Sequence, residues 1–180
     1  MYVIGLAPHI AHVDTLERID YFGQYGKILK TVVNKGNAYN AGGANGPSYS
    51  AYITYSTDIE TAVAILASDQ YPIHDRVIRA SYGTTKYCSY YLKDQNCPNR
   101  DCLFLHHPGD DDDAFIKDEN VSNKNLFNDQ QKLAFDFLKK HIEDAVETVN
   151  NGIKRAPFKQ TLPPLVNIKS KLDNFMKEKQ

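Results

Sequence analysis

Three cysteines and a histidine, Cys88, Cys97, Cys102 and His106, lie close together, with eight, four and three residues between successive members. Three thiolates and one imidazole form a donor set that zinc takes in a tetrahedron, with Zn–S near ~2.3 Å and Zn–N near ~2.0 Å. The short gaps let Cys97, Cys102 and His106 converge from one tight region, and the longer gap lets Cys88 close the knot. Four protein donors leave no position for water, so the expected zinc is a single structural ion rather than a hydrolytic one. So small a unit has almost no core, and metal binding is then effectively its folding energy. His107 stands beside His106 as an alternative donor, and free thiols beside a surface histidine are the alternative to any metal at all. Lys86, Tyr87, Tyr90, Tyr91, Lys93 and Phe104 surround the ligands. Such rings and cations suit single-stranded RNA, whose splayed bases stack on aromatic side chains.

A second constellation is set by alternation. In MYVIGL, residues 1–6, Tyr2 and Ile4 share one face of a strand; in SAYITY, residues 50–55, Ser50, Tyr52 and Thr54 share another. Successive side chains of a strand point to opposite faces, so Tyr2 and Tyr52 can lie together if the strands are neighbours. The candidate contacts on this face are Tyr2, Ile4, Tyr52 and Thr54, with Arg79, Lys86 and Lys93 to meet phosphates. The alternative is that both tyrosines pack under a neighbouring segment, such as a helix near the C-terminus.

These residues need a scaffold, and the sequence outlines one. After the first strand, Asp14 and Glu17 resemble a capping box, and Leu16, Ile19 and Phe22 supply the apolar face of a helix ending near Tyr25 and Gly26. KILKTVV, 27–33, reads as a strand, and residues 34–48, rich in Gly and Asn, as a flexible loop before the third strand. Thr57 with Glu60 repeats the capping signature, and Ile59, Ala62, Val63, Leu66 and Ala67 mark a second helix. RVIRAS, 76–81, gives a fourth strand. The fold class is α+β, with the ferredoxin-like order βαββαβ: two helices on a four-stranded antiparallel sheet whose other face is open.

The chain divides into this domain at 1–83, the finger at 84–108, an acidic linker at 109–127, an amphipathic helix at 128–151 and a flexible basic tail at 152–180. Leu133, Ala134, Phe137, Leu138, Ile142, Ala145, Val146 and Val149 recur at helical spacing, with Gly152 as the stop. Asp110 to Asp113 read as solvated linker rather than a cation site.

The formal net charge is −1, so a strongly basic surface does not drive any nucleic-acid binding; stacking must carry much of it. No apolar run approaches the ~20 residues that cross a bilayer. Cysteines clustered beside a histidine suit a metal site in a reducing compartment, so a cytoplasmic or nuclear location and no membrane partner are expected. No phosphate-binding Gly loop or nucleophile elbow is found, and the chain reads as non-enzymatic.

Two resemblances sharpen these expectations. MYVIGL and SYSAYITY resemble the two ribonucleoprotein motifs of RNA-recognition motifs, although Ser48, Tyr49 and Ser50 depart from the longer one, and Ser50 replaces a third stacking aromatic. The pairing of that domain with the finger is more specific: YFGQYGKI at 21–28, PSYSAYITY at 47–55 and GTTKYCSYYLKDQNCPNRDCLFLHH at 83–107 resemble the central segment of the NOT subunit four family. These are RING ubiquitin ligases of the NOT mRNA deadenylase complex. The resemblance implies RNA contact through sheet and finger, with Tyr2, Tyr52, Lys86 and Tyr87 as matching positions, and a link to mRNA decay or translational control. It leaves a protein-interaction scaffold as the alternative, with the sheet face or the 128–150 helix, through Phe137 and Ile142, docking on a scaffold subunit of the complex. A RING needs eight Cys or His ligands, which three cysteines already in use cannot supply, so ligase activity belongs only to a longer parent chain. The chain itself is expected to be a fragment or short form, and a monomer.

Overall fold

The computed structural model describes residues 1–39, 47–74, 76–83, 87–99, 102, 104–109, 130–155 and 161–178. They form two compact units: Met1–Tyr82 together with Asp129–Gln180, and Gly83–Asn128. Residues 110–127 of the linker expected at 109–127, and Lys86, lie outside the described residues.

The first unit is built on a four-stranded antiparallel sheet. Its strands are β1 (Tyr2–Leu6), β2 (Ile28–Tyr39), β3 (Ser48–Tyr55) and β6 (Arg79–Ser81), in the order β2-β3-β1-β6. Tyr2 is registered on Tyr52 and Val3 on Ala51, so alternation sends Val3, Ala51 and Ile53 into the core and leaves Tyr2, Tyr52 and Thr54 on the other face. β1 bulges between Ile4 and Leu6, where Gly5 adopts φ +84°; a Cβ there would stand 2.7 Å from the Val77 carbonyl oxygen. Only glycine fits this close backbone approach without strain.

Three strands differ in their bounds from the sequence reading, and one of them, β3, begins at Ser48 rather than Ser50. β2 runs on to Tyr39, taking in the first part of the expected loop, because it pairs with β3 as far as Ser48. The expected fourth strand is divided: Arg76–Val77 (β5) forms a hairpin with Pro72–Ile73 (β4), and only Arg79–Ser81 joins the main sheet. His74 in the left-handed region, φ +55°, makes the hairpin turn.

The first helix is also shorter than its apolar spacing suggests. α1 covers Val13–Leu16, its N-cap is His12 with no side-chain bond, and a single 3-10 turn follows at Phe22–Gln24. Leu16 and Phe22 are still buried, whereas Ile19 is exposed. A Cβ on Gly23 would collide with the Glu17 carbonyl, so the chain folds back on itself there instead of continuing as helix. α2 (Asp58–Ser68) starts with the expected capping box. The Thr57 hydroxyl accepts from the Glu60 amide, while the Glu60 carboxylate accepts from Lys27, Ser56 and Thr57, tying the start of β2 to the helix.

Every residue of α2 from Ala62 to Ser68 is buried. A helix covered on one side only could not bury such a run. The second cover comes from α3 (Gln130–Lys140), α4 (Ile142–Arg155) and α5 (Leu165–Glu178), all packed against α2. The single helix expected at 128–151 is therefore two, divided at His141. Gly152 does not stop it: Gly152 lies within α4, buried, where a Cβ would overlap Leu165 and stand 2.8 Å from the Gln24 carbonyl oxygen. The segment expected to be a flexible tail forms α5, because Leu165, Ile168 and Leu172 recur on one face and are all buried. Pro163 and Pro164 precede its first turn, where a missing N–H costs little. Tyr25, wholly buried, donates its hydroxyl to the Pro163 carbonyl at 3.0 Å, and Asp20 accepts from the Thr161 amide at 2.9 Å. Phe137 and Ile142, expected on a docking face, instead pack against the core. All three helices lie on the α2 side of the sheet, the side away from Tyr2 and Tyr52.

Candidate functional site

In the second unit Cys88, Cys97, Cys102 and His106 converge, with their donor atoms all within 4.8 Å of one another. The edge of a tetrahedron with ~2.3 Å arms is about 3.8 Å, so the four can hold a metal ion with a small inward movement. A parallel bridge between Tyr87 and Leu105, with the Cys88 amide donating to the Leu105 carbonyl at 3.0 Å, sets Cys88 beside His106. A 3-10 turn at Tyr91–Lys93 then reverses the chain, ending at Asp94 with φ +51°. Asp tolerates that left-handed conformation better than most residues. Cys102 is placed by a further turn, its amide donating to Asn99 at 3.2 Å. His107 points elsewhere, its Nδ1 lying 3.0 Å from the Pro108 carbonyl oxygen.

The sulfurs are unequal. The Cys88 thiol, buried, is pulled down to about 7 by backbone amides at Tyr91 and then Tyr90 and by the neighbouring cysteines, against the opposing effect of burial. The Cys97 thiol lies above its usual range: a backbone bond at Asn99 lowers it, but desolvation and the Cys88 and Cys102 sulfurs outweigh that. The Cys88 sulfur is thus more readily a thiolate, the form that can bind a metal, than that of Cys97.

Of the rings expected around this cluster, Tyr87 stacks on Tyr91 with centroids 5.9 Å apart, and Tyr91 meets His106 edge-on. The Tyr87 hydroxyl accepts from the Gly109 amide at 3.0 Å, so this ring also closes the unit. Tyr90, Lys93 and Phe104 are exposed, as is Leu92, which the sequence reading did not single out.

The open face of the sheet can be laid out from its register. One row runs Val32, Tyr52, Tyr2, Ser81 across the four strands; a second runs Asn34, Ser50, Ile4, Arg79; Lys30 stands beside Thr54. The Tyr2 and Tyr52 rings are 4.6 Å apart with their planes at 31°. Tyr2, Ile4, Tyr52 and Thr54 share this face, and the register puts Arg79 on it beside Ile4. Lys30, Val32, Asn34 and Ser81 join them, and only the strand order reveals that. Arg79 has an additional engagement: its Nε donates to Asp69 at 3.0 Å, and the same carboxylate oxygen accepts from the Ala80 amide at 2.9 Å. With the Asp69 side chain 1% exposed against 49% for Arg79, the pair seals the outer edge of β6 while the guanidinium keeps one side to solvent.

Among the described residues no helix is long and apolar enough to cross a membrane. No protein-family model matches the chain. It is 47% identical, over 124 residues covering 67% of its length, to a general negative regulator of transcription of Schizosaccharomyces pombe. It is 37% identical, over 161 residues covering 84% of its length, to general negative regulator of transcription subunit 4 of Saccharomyces cerevisiae. The matched regions make up 25% and 27% of those two proteins, so the chain spans about a quarter of the relatives it resembles. Over most of its length the chain is a homologue of general negative regulator of transcription subunit 4.

Proposed function

We propose that this chain is a single-stranded RNA-binding segment, built from an RNA-recognition motif and a zinc finger. The observation that carries this reading is the Tyr2–Tyr52 ring pair on the sheet face that the helices leave open. Stacking on such rings contributes roughly 1–3 kcal/mol per base and needs no strongly basic surface. The strand order supports the RNA-recognition motif, since βαββαβ connectivity with the first and third strands central puts these two tyrosines side by side. The donor set Cys88, Cys97, Cys102 and His106 fits one structural zinc, and the exposed Tyr90, Lys93 and Phe104 of that unit offer further contact to RNA. Lys86 belongs to the proposal by its place in the sequence alone.

Homology to general negative regulator of transcription subunit 4 supports a role beside the NOT deadenylase complex, in mRNA decay or translational control. A monomer that acts without catalysis of its own fits this role; ubiquitin-ligase activity would reside in a RING of a longer parent. Fluorescence anisotropy of the zinc-loaded chain with short single-stranded RNA tests the reading. Binding that weakens with added salt and with Tyr2→Ala is expected. Absence of binding to every base composition would reject it and leave the alternative of a protein-interaction scaffold.

A further inference from the structure

We infer that Tyr2 and Tyr52 act as one stacked unit rather than two platforms, and that the sheet takes a single base on the outer face of Tyr2, over Ser81. The inference rests on the RNA-binding reading and specifies how many bases the sheet holds and where.

The geometry of the rings carries it. Aromatic pairs have centroids ~4.5–7 Å apart, and near-parallel rings lying flat beside each other fall at the far end of that range. Tyr2 and Tyr52 are at the near end, 4.6 Å, with planes inclined by only 31°. Their faces must therefore overlap. Each ring covers part of one face of the other. Two bases cannot then lie side by side, one flat on each tyrosine; a base has to continue the stack from one flank.

The flanks differ. Outside Tyr52 stands Val32 on β2, a branched side chain registered directly against it. Outside Tyr2 stands Ser81 on β6, the edge strand, whose side chain is smaller than that of Val32 and supplies a hydroxyl that can donate to or accept from a base edge. Ser81 is therefore placed to favour one base over another, while Tyr52 holds Tyr2 upright. That gives Tyr52 a positioning role and Tyr2 the contact.

A double-mutant cycle decides the matter, read by anisotropy with labelled homopolymer ribonucleotides of about six residues, with folding of each variant checked by thermal midpoint. Tyr2→Ala should weaken binding about tenfold, and Tyr52→Ala by a smaller factor. The double variant should lie within about twofold of Tyr2→Ala alone. Ser81→Leu, which fills the proposed slot, should weaken binding about tenfold and alter the preference among bases, while Val32→Leu stays within about twofold. Factors that multiply in the double variant would overturn the single platform. A loss on Val32→Leu with none on Ser81→Leu would overturn the flank, and these two variants decide if an alanine variant unfolds. If the unaltered chain binds no RNA, the RNA-binding reading falls and this inference with it; multiplying factors leave the broader reading standing.

Discussion

At the scale of single residues, the cysteine cluster is the part of the molecule whose chemistry is most constrained. Three sulfurs held within reach of one imidazole could hold a metal ion, and the choice between adjacent histidines follows from where each ring sits. His106 lies with the sulfurs, while His107 is engaged with the Pro108 carbonyl. Elemental analysis of purified variants should find one zinc per chain for His107→Ala and none for His106→Ala or Cys97→Ser. Retention of zinc by the His106 variant, with loss by the other, would reverse the assignment. Gly152 makes a different kind of demand. With Leu165 against its α-carbon and the Gln24 carbonyl 2.8 Å from where a Cβ would be, Gly152→Ala should destabilise the first unit by about 1–3 kcal/mol, although alanine is ordinarily the better helix former. Thermal or urea unfolding measures this. The convergence of Cys88, Cys97, Cys102 and His106 could be read from spacing because the meeting of neighbours in sequence is a local matter. Gly152 could not, since its partners are 13 residues ahead and 128 behind, and a glycine near the end of a periodic run looks like a stop.

At the scale of elements, the first three strands and α2 were legible because alternation and a capping box are short-range signals; the Thr57–Glu60 box is present, while the one expected at Asp14 and Glu17 is not. The C-terminal helix was not legible. Its apolar residues are sparse, and Pro163 and Pro164 suggest irregular chain, yet Leu165, Ile168 and Leu172 need only a receiving surface to become core. The run Ala62–Ala67, apolar all round, was the sequence signal that α2 has such a surface on its outer side. Buried tyrosine hydroxyls join these layers and set a pH limit. Tyr25 donates to Pro163 and Tyr55 to the Phe22 carbonyl, and burial, with nearby charge, pushes both well above their ordinary range. Tyr82 is pushed up to about 12 by burial and by Asp58. Because the fold favours the protonated phenols, their contribution to stability is complete below about pH 10, the unfolded value, and is lost as pH rises through the folded values. The thermal midpoint should therefore fall steeply from pH 10 upwards, and Tyr25→Phe with Tyr55→Phe should flatten that fall while lowering the midpoint at neutral pH. An equally steep fall in the double variant would remove these hydroxyls as the cause.

At the scale of the whole molecule, the unit that carries the cysteine cluster is an insertion. The first unit takes its residues from both sides of it, Met1–Tyr82 and Asp129–Gln180, and the sequence reading of a domain ending near residue 83 followed by appendages missed this because nothing local shows that α3 returns to α2. The points of departure and return are bonded to one another: the Tyr82 amide donates to the Gln130 side chain at 2.9 Å, and the next residue, Gln131, donates to the Asp69 carbonyl at 2.7 Å. A loop closed at its base by the surrounding fold can be shortened at little cost, since closure entropy changes only slowly with length. Replacing residues 84–128 by a short Gly-Ser linker should therefore leave a folded first unit, with a thermal midpoint within a few degrees of the intact chain and no response to chelator. Ending the chain before residue 129 should do the opposite, exposing the outer side of α2, and give a protein that aggregates or fails to fold. Chelating the intact chain should collapse amide dispersion across residues 87–109 and leave that of β1, β3 and α2 unchanged, because a zinc held by the four donors would supply the folding energy of that unit alone. If the linker variant unfolds while the truncated one is stable, the three C-terminal helices are not the completion of the sheet domain, and the burial of α2 on both sides would need another cause.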